Sequence, residues 1–337
     1  MPLFTLSSGQ QLTALMLTWH LFISQCRPTL SSHIKGFLPI VNFLFYYYTY
    51  INMTILILGA KGNLGTQLGK ALAEEYNVVS WDKDDLDVLD FKLLKTNIRA
   101  LAPELIINTV AYNNVDKCED KKEYEIALQL NCDLPGVLAD LCLEINAVLI
   151  HYSSDYVFNG TPEKMEFSEG DTPNPINKYG ESKFLGEREV LRRAERGLSL
   201  YLIRTSKLFG PRGASASAKP SFFDIMLEAA QNKKELTVVN EELSCFTYTV
   251  DLAEATKRLW ELEVPFGTYH LINEGPCTWQ EAALELFRLK KMKVEMRSVR
   301  SENLARPARR PKFSVLKNTK VRKLRPWKLA LKEYLET

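Results

Sequence analysis

An α/β fold built on a doubly wound parallel sheet is what this sequence predicts, and three observations predict it. From residue 53 onward, short apolar runs alternate with stretches of helical spacing, the pattern of a parallel sheet covered on both faces. The first strand-to-helix junction carries Gly59-x-x-Gly62-x-x-Gly65, a turn bare enough for close approach of a phosphate. Finally, Gly59, Asp82, Ala111 and Ser154 all fall where successive strands end, and such sheets bind ligands at the carboxyl ends of their strands.

The elements follow in order. Residues 54–58 are a short apolar strand leading into Gly59-Ala60-Lys61-Gly62-Asn63-Leu64-Gly65, and 64–75 have helical spacing. A second strand over 78–81 ends at Asp82. A helix over 91–100, a strand over 105–109 and helices over 123–131 and 135–144 come next. The strand over 147–152 delivers Ser153 and Ser154 at its carboxyl end. A helix carrying Tyr179 and Lys183 runs to about residue 195, and 200–204 is a strand. After Gly210 the regularity weakens. Residues 211–220, rich in Gly, Ser, Ala and Pro, read as a mobile loop. Helices over 222–231 and 251–263 flank a strand at 236–239; 268–272 is a strand, 278–289 an amphipathic helix, and the tail from Arg306 is basic. This organisation predicts a Rossmann-type dinucleotide-binding domain over 53–210. A smaller, mixed substrate-binding region follows over 211–337, with some interleaving of the two.

The 337 residues suffice for one large or two modest domains, and 46% apolar with 25% charged residues is a globular composition. A net charge of +2 gives no reason to expect a nucleic acid or a membrane surface as partner. The six cysteines are scattered, with no C-x-x-C and no histidine at ligand spacing. That pattern predicts reduced thiols in a cytoplasmic protein and no metal site. Residues 1–52 differ: they hold no Asp or Glu, and only Arg27 and Lys35 carry positive charge. Apolar stretches at 12–23 and 37–51 allow a membrane anchor or signal segment, yet neither reaches a spanning length, and Pro39 and Asn42 interrupt the second. The favoured reading is a disordered or non-native extension, because Met53 stands one residue before the first strand.

At Gly59, Gly62 and Gly65 the missing side chains let the backbone and the helix N-terminus of Asn63 and Leu64 meet a pyrophosphate; the alternative is a tight turn without a ligand. Asp82 can accept hydrogen bonds from an adenosine ribose, which favours NAD, whereas the adjacent Lys83 could meet a 2′-phosphate. Asp82 as a solvated loop acid is the competing reading, so NADH and NADPH both stay open. Tyr179-x-x-x-Lys183 places a phenol and an ammonium on one helix face. A tyrosine titrates near pH 10, and a cation held close favours its phenolate. With the Ser154 hydroxyl aimed at the same point, these are parts for proton transfer to a carbonyl or alcohol oxygen. An amphipathic helix with a buried tyrosine and a solvated lysine is the alternative; the hydroxyl pair at a strand end and the glycine turn weigh against it.

These residues resemble the extended short-chain dehydrogenase/reductase superfamily, which includes NAD-dependent epimerases and dehydratases, and more closely the dTDP-4-dehydrorhamnose reductase family. The resemblance covers 53–335 and is carried by Thr54-Ile-Leu-Ile-Leu-Gly-Ala, Ile107-Asn-Thr-Val-Ala-Tyr-Asn-Asn-Val-Asp-Lys, Tyr152-Ser-Ser-Asp-Tyr-Val-Phe-Asn-Gly, Asn174-Pro-Ile-Asn-Lys-Tyr-Gly-Glu-Ser-Lys, Asp251-Leu-Ala and Arg310-Pro-x-x-Ser314-x-Leu316. It implies Tyr179 as general acid, Lys183 as its electrostatic partner and ribose ligand, and Ser154 as the catalytic hydroxyl. It implies Asp155 and Tyr156 near a sugar, Ala111 and Tyr112 along the cofactor cleft, and Asn131 ordering the site; Lys61 belongs to the same cofactor turn. The implied partners are NADPH or NADH, a nucleotide-sugar, and a second copy in a homodimer.

Two departures fall on the substrate side. The aromatic residue that family members commonly carry after Arg-Thr-Ser, packed against the sugar, is Lys207 here, and the family's Asp-Gln-x-Gly-x-Pro-Thr loop reads Asn240-Glu-Glu-Leu-Ser-Cys-Phe-Thr247. The acid that some members use for magnesium corresponds to Gln67, so no metal is carried over. Reduction of a nucleotide-activated 4-keto-6-deoxysugar is the leading expectation, with Arg309 and Arg310 of the basic tail as candidates for its diphosphate. An epimerase or dehydratase with tightly held NAD is the second. A cofactor-binding subunit without catalysis is the third.

Overall fold

A computed structural model describes residues 53–215, 218–233 and 235–337; the expected extension over 1–52 lies outside the described residues. The architecture that follows is that of the compact unit of residues 55–74 and 78–337, with β1 and β2 each beginning one residue outside it. The first strands are β1 (Thr54–Leu58), β2 (Asn77–Trp81), β3 (Leu105–Asn108) and β4 (Val148–Ser154). Later come β5 (Glu166–Phe167), β6 (Leu200–Thr205), β7 (Leu208–Phe209), β8 (Glu235–Val239), β9 (Thr247–Tyr248), β10 (Gly267–His270), β11 (Glu295–Val299) and β12 (Val315–Leu316). A six-stranded sheet runs β10-β6-β4-β3-β1-β2, and its β1–β3, β3–β4, β4–β6 and β6–β10 pairs are parallel. The order reverses between β1 and β3, which makes the crevice beyond Gly59 the switch point where such sheets take ligands.

The helices are α1 (Asn63–Leu72), α2 (Phe91–Leu101), α3 (Lys121–Leu128), α4 (Leu134–Ile145), α5 (Lys178–Ala194), α6 (Phe222–Asn232), α7 (Thr249–Glu261), α8 (Trp279–Leu289) and α9 (Trp327–Tyr334). Apolar residues at helical spacing on α2, α4 and α5 (Leu94, Ile98, Leu138, Val190) close over Leu56, Ile106, Leu149 and Leu202 of the sheet. Each such side chain contributes about 1.5–3 kcal/mol on burial. A second core gathers Phe209, Phe223, Phe246, Tyr248 and Trp327.

Several elements differ from expectation for physical reasons. The helix expected over 123–131 starts at Lys121, because the Asp120 carboxylate accepts the Lys122 and Glu123 N–H groups. It gives way after Leu128 to a π-turn over Gln129–Asp133; Pro135, which has no N–H for the Asn131 carbonyl, sits one turn on. The helix expected over 64–75 stops at Leu72, since the chain must turn before β2. Strands β5, β7, β9, β11 and β12 and helix α9 have no counterpart in the expectation. The loop after Gly210 is tied down in its described part: Gly213 N–H donates to Asn63 Oδ1 and Ser215 N–H to the Lys61 carbonyl, both at 2.9 Å.

Candidate active site

Strand β4 ends on two buried serines, 4% and 8% exposed. Ser154 Oγ donates to Asp155 Oδ1 at 3.0 Å and accepts from the Tyr156 N–H at 3.2 Å. Helix α5 brings Tyr179 to the same point. Its first turn is set by Asn177, whose side chain accepts from the Gly180 N–H at 2.8 Å. The helix can come this close because two positions carry no side chain: a Cβ on Gly180 would stand 2.2 Å from the Tyr156 carbonyl oxygen, and one on Gly186 1.9 Å from that of Asn131. The Tyr179 ring meets Tyr156 edge-on, centroids 5.8 Å apart. One turn further, buried Lys183 donates from Nζ to the Tyr152 carbonyl at 2.6 Å.

The electrostatics of this arrangement differ from the simple expectation of an acidified phenol. Burial pushes the Tyr179 phenol upward and outweighs the hydrogen bond with Ser154, which favours ionisation. Tyr179 therefore holds its proton as a neutral donor. Burial also lowers Lys183 to about 8, against the raising effect of Glu187. Asp155, 2% exposed, is raised by burial despite hydrogen bonds from Ser314, Ser206 and Ser154 and the nearby charge of Lys207.

A cleft of 690 Å³ runs from the glycine turn to this constellation. At one end lie Gly59, Gly62, Asn63, Leu64 and Gly65, with Asp82, Lys83 and Ala111; at the other lie Ser154, Asp155, Tyr156, Tyr179, Lys183 and Lys207. The first end fits a dinucleotide. Gly62 caps α1 with no side-chain hydrogen bond, which leaves the helix N–H groups to the cleft. Gly59 holds a left-handed φ of +77°, and a Cβ on Gly65 would stand 2.2 Å from its carbonyl oxygen, so the turn accepts neither side chain. Asp82 takes the Lys61 N–H at 2.9 Å and the Lys83 N–H at 2.8 Å, which orients the carboxylate at the end of β2.

Five expected site residues, Arg309 among them, do not line the cleft. Lys61 turns its ammonium to Asp84 at 3.0 Å. Asn131 accepts from the Tyr112 N–H at 2.9 Å and donates to the Tyr112 carbonyl and to Ser182 Oγ, so it holds the loop bearing Ala111 from behind. The Tyr112 hydroxyl donates to Glu123. Arg310, expected at a substrate diphosphate, instead grips Asp116 with both arms at 2.8 and 2.7 Å, because a guanidinium fork matches a carboxylate. Sequence reasoning missed Thr205 at the end of β6 and Ser206 just past it, Tyr152, Lys219 and Trp279. The strand-end rule could have found the first two. Nothing local marks Trp279, which arrives from a helix remote in sequence.

The chain matches the RmlD substrate binding domain family over residues 53–337. It is similar to the spore coat polysaccharide biosynthesis protein SpsK of Bacillus subtilis, 33% identical over 84% of this chain and 96% of that protein. The dTDP-4-dehydrorhamnose reductase of Escherichia coli K12 is 30% identical over 84% of this chain and 97% of the relative. Among solved structures, the dTDP-4-dehydrorhamnose reductase of Bacillus anthracis in complex with NADP superimposes with a TM-score of 0.78 at 32% identity, covering 85% of this chain and 100% of that one.

Proposed function

The chain belongs to the RmlD substrate binding domain family, and from that membership we infer that it reduces the 4-keto group of a nucleotide-activated deoxysugar, as a dTDP-4-dehydrorhamnose reductase in dTDP-rhamnose biosynthesis. It is an NAD(P)-dependent oxidoreductase of the short-chain dehydrogenase/reductase type. The observation that carries the reading is the single cleft joining a glycine turn to Ser154, Tyr179 and Lys183.

When bound, NADPH or NADH supplies a hydride to the ketone carbon. The protein supports that step by handling the oxygen. Tyr179, kept neutral by burial, gives its proton to the developing alkoxide. Ser154 Oγ sits beside it to donate a hydrogen bond to the same oxygen. Lys183, fixed by the Tyr152 carbonyl, balances the phenolate left behind and offers its remaining donors to the nicotinamide ribose. The glycine turn and the N-terminus of α1 hold the pyrophosphate, Asp82 the adenosine ribose, and Asp155 and Tyr156 the sugar.

Residues 53–210 then serve the dinucleotide and 211–337 chiefly the sugar, the two interleaving where Asp155 and Tyr156 of the first region reach the sugar. A cytoplasmic location agrees with five described cysteines that are all free thiols, and a homodimer is the assembly to look for. The test is a turnover assay with a panel of nucleotide-linked 4-keto-6-deoxysugars against NADH and NADPH. Stoichiometric oxidation of the reduced cofactor supports the reading. Conversion of sugar without net oxidation makes the chain an epimerase or dehydratase, and no conversion at all removes the catalytic reading.

A further inference from the structure

Trp279 lines the catalytic cleft although the site's other side chains all come from elsewhere in the chain. It is the first residue of α8. A capping box fixes that start: Thr278 Oγ1 accepts from the Glu281 N–H at 3.2 Å, and the Glu281 carboxylate accepts from the Thr278 N–H at 2.8 Å. The indole is held at both its edge and its face. Its Nε1–H donates to Glu242 Oε2 at 2.8 Å. Lys207 lays its ammonium 3.7 Å from the ring centroid, with Phe222 and Phe246 at 4.8 and 5.4 Å completing the seat.

Both supports are themselves costly features. Glu242 is 3% exposed, and its charge is kept by Arg306, Ser301 and Trp279. Lys207 has a left-handed backbone, φ +37°, and its Nζ is enclosed without a hydrogen-bond partner. A strained, non-glycine residue with an unpaired buried ammonium is retained only where the surroundings impose it, and such features gather at functional sites. Here what they accomplish is to immobilise one indole in the lining of the cleft that Ser154 and Tyr179 share. Lys207 and Trp279 line the same cleft as Tyr179 and Ser154, within the space open to a sugar whose carbonyl meets those two hydroxyls.

We propose that Trp279 is the aromatic platform on which the apolar C–H face of the nucleotide-linked sugar ring rests, and that Lys207 is the positioning residue that holds the platform in register with Tyr179. This rests on the reduction of a nucleotide-sugar inferred above. It also answers the substitution of lysine for an aromatic side chain after Arg204-Thr205-Ser206: the aromatic surface comes from α8 instead, with the lysine ammonium against its ring.

The test is steady-state kinetics of Trp279→Leu, Trp279→Phe, Lys207→Met and the Lys207→Met/Trp279→Leu double variant, with the nucleotide-linked 4-keto sugar that the wild type turns over. Trp279→Leu is expected to raise KM for the sugar at least tenfold with KM for NADPH within twofold, and Trp279→Phe to recover most of that loss. Lys207→Met raises the sugar KM severalfold alone but adds little to Trp279→Leu, because it acts through the indole. An unchanged sugar KM in Trp279→Leu, an equal rise for cofactor, or full additivity overturns the proposal. Should Trp279→Leu fail to fold, judged by loss of NADPH fluorescence enhancement, the quench of tryptophan fluorescence by the nucleotide-sugar product decides: it must be present in wild type and largely gone in Trp279→Phe. Wild-type protein that oxidises no NADPH with any nucleotide-sugar strikes the inferred reaction; active wild type with an indifferent Trp279→Leu strikes only the platform.

Discussion

Lys183 donates its ammonium to the Tyr152 carbonyl at 2.6 Å, so the cation of the Tyr179-x-x-x-Lys183 pair is anchored by strand β4 and not by the phenol. Strand and helix are thereby locked at the place where Ser154 and Tyr179 converge. The cost is a lysine buried beside no carboxylate in hydrogen-bond range, and that cost is measurable.

Replacing Tyr179 by Phe removes the only proton the phenol can deliver while keeping the ring that meets Tyr156 edge-on. Turnover is expected to fall by roughly 10²–10⁴, the usual range for a lost general acid. The dissociation constant for NADPH should stay within about twofold by fluorescence titration. Undiminished oxidation of NADPH in the variant would remove Tyr179 from the chemistry.

Lys183 and Lys207 are both lowered to about 8 by burial, from an ordinary 10.5. The sign follows from proton counting. Between those values the unfolded chain holds protons the folded chain has released, so their contribution to stability rises with pH, and below pH 8 the full penalty of two buried charges remains. Lys183→Met and Lys207→Met should therefore each be more stable than wild type at pH 7, by something on the order of 1–3 kcal/mol, with the advantage shrinking between pH 8 and 10.5. Urea unfolding at three pH values across that window measures it; a pH-independent difference means that folding does not lower the pKa of either lysine.

How much of this could be read beforehand depends on where the information lies. The apolar runs of β1, β3, β4 and β6, the glycine turn and the Tyr179–Lys183 spacing are local, and each was legible because strand and helix periods and missing side chains write themselves into a few adjacent residues. The parallel partner β10, which closes the sheet edge beside β6, is a long-range pairing that no window contains. The π-turn at Gln129–Asp133 hides inside an apparently continuous helical period. Lys183 spends its bond on a main-chain carbonyl, which has no side-chain signature. Arg310 read as a free basic group because its partner, Asp116, lies far back in the chain.

The glycine turn offers a contrast between fold and ligand. A Cβ on Gly65 would meet Gly59 O at 2.2 Å and Ala60 Cα at 2.8 Å, both backbone atoms that cannot step aside. Gly65→Ala should cost about 1–3 kcal/mol as overpacking and also disrupt the turn. A Cβ on Gly62 meets only Gly59 O, at 3.2 Å. Gly62→Ala should leave stability within about 1 kcal/mol yet weaken NADPH binding at least tenfold, because the methyl enters the space beside the helix N–H groups. Equal effects of the two substitutions on thermal unfolding and on cofactor titration would argue that the turn serves packing alone.

The last prediction concerns Arg310, whose two arms close on Asp116 while its neighbours add further ties to the same segment. The Ala308 N–H donates to Asp116 Oδ1 at 3.2 Å, and the Arg309 carbonyl accepts from Asn177, the cap of α5, at 2.8 Å. Farther along, a Cβ on Gly160 would collide with the Phe313 carbonyl at 1.9 Å, and Ser314 Oγ donates to Asp155 Oδ2 at 2.7 Å. The C-terminal segment is thus a strap from the loop after β3, past the start of the catalytic helix, to the carboxylate beside Ser154. Arg310→Ala and Asp116→Ala should show a coupling of about 1 kcal/mol in a double-mutant cycle by urea unfolding, near the low end for a close charged pair because Asp116 is partly open to solvent. Slackening the strap frees Ser314, so Arg310→Ala should raise KM for the sugar more than KM for NADPH. Were the arginine a ligand of the substrate diphosphate instead, Arg310→Ala would give the same rise in sugar KM but Asp116→Ala would not, and the cycle on KM would lose its coupling.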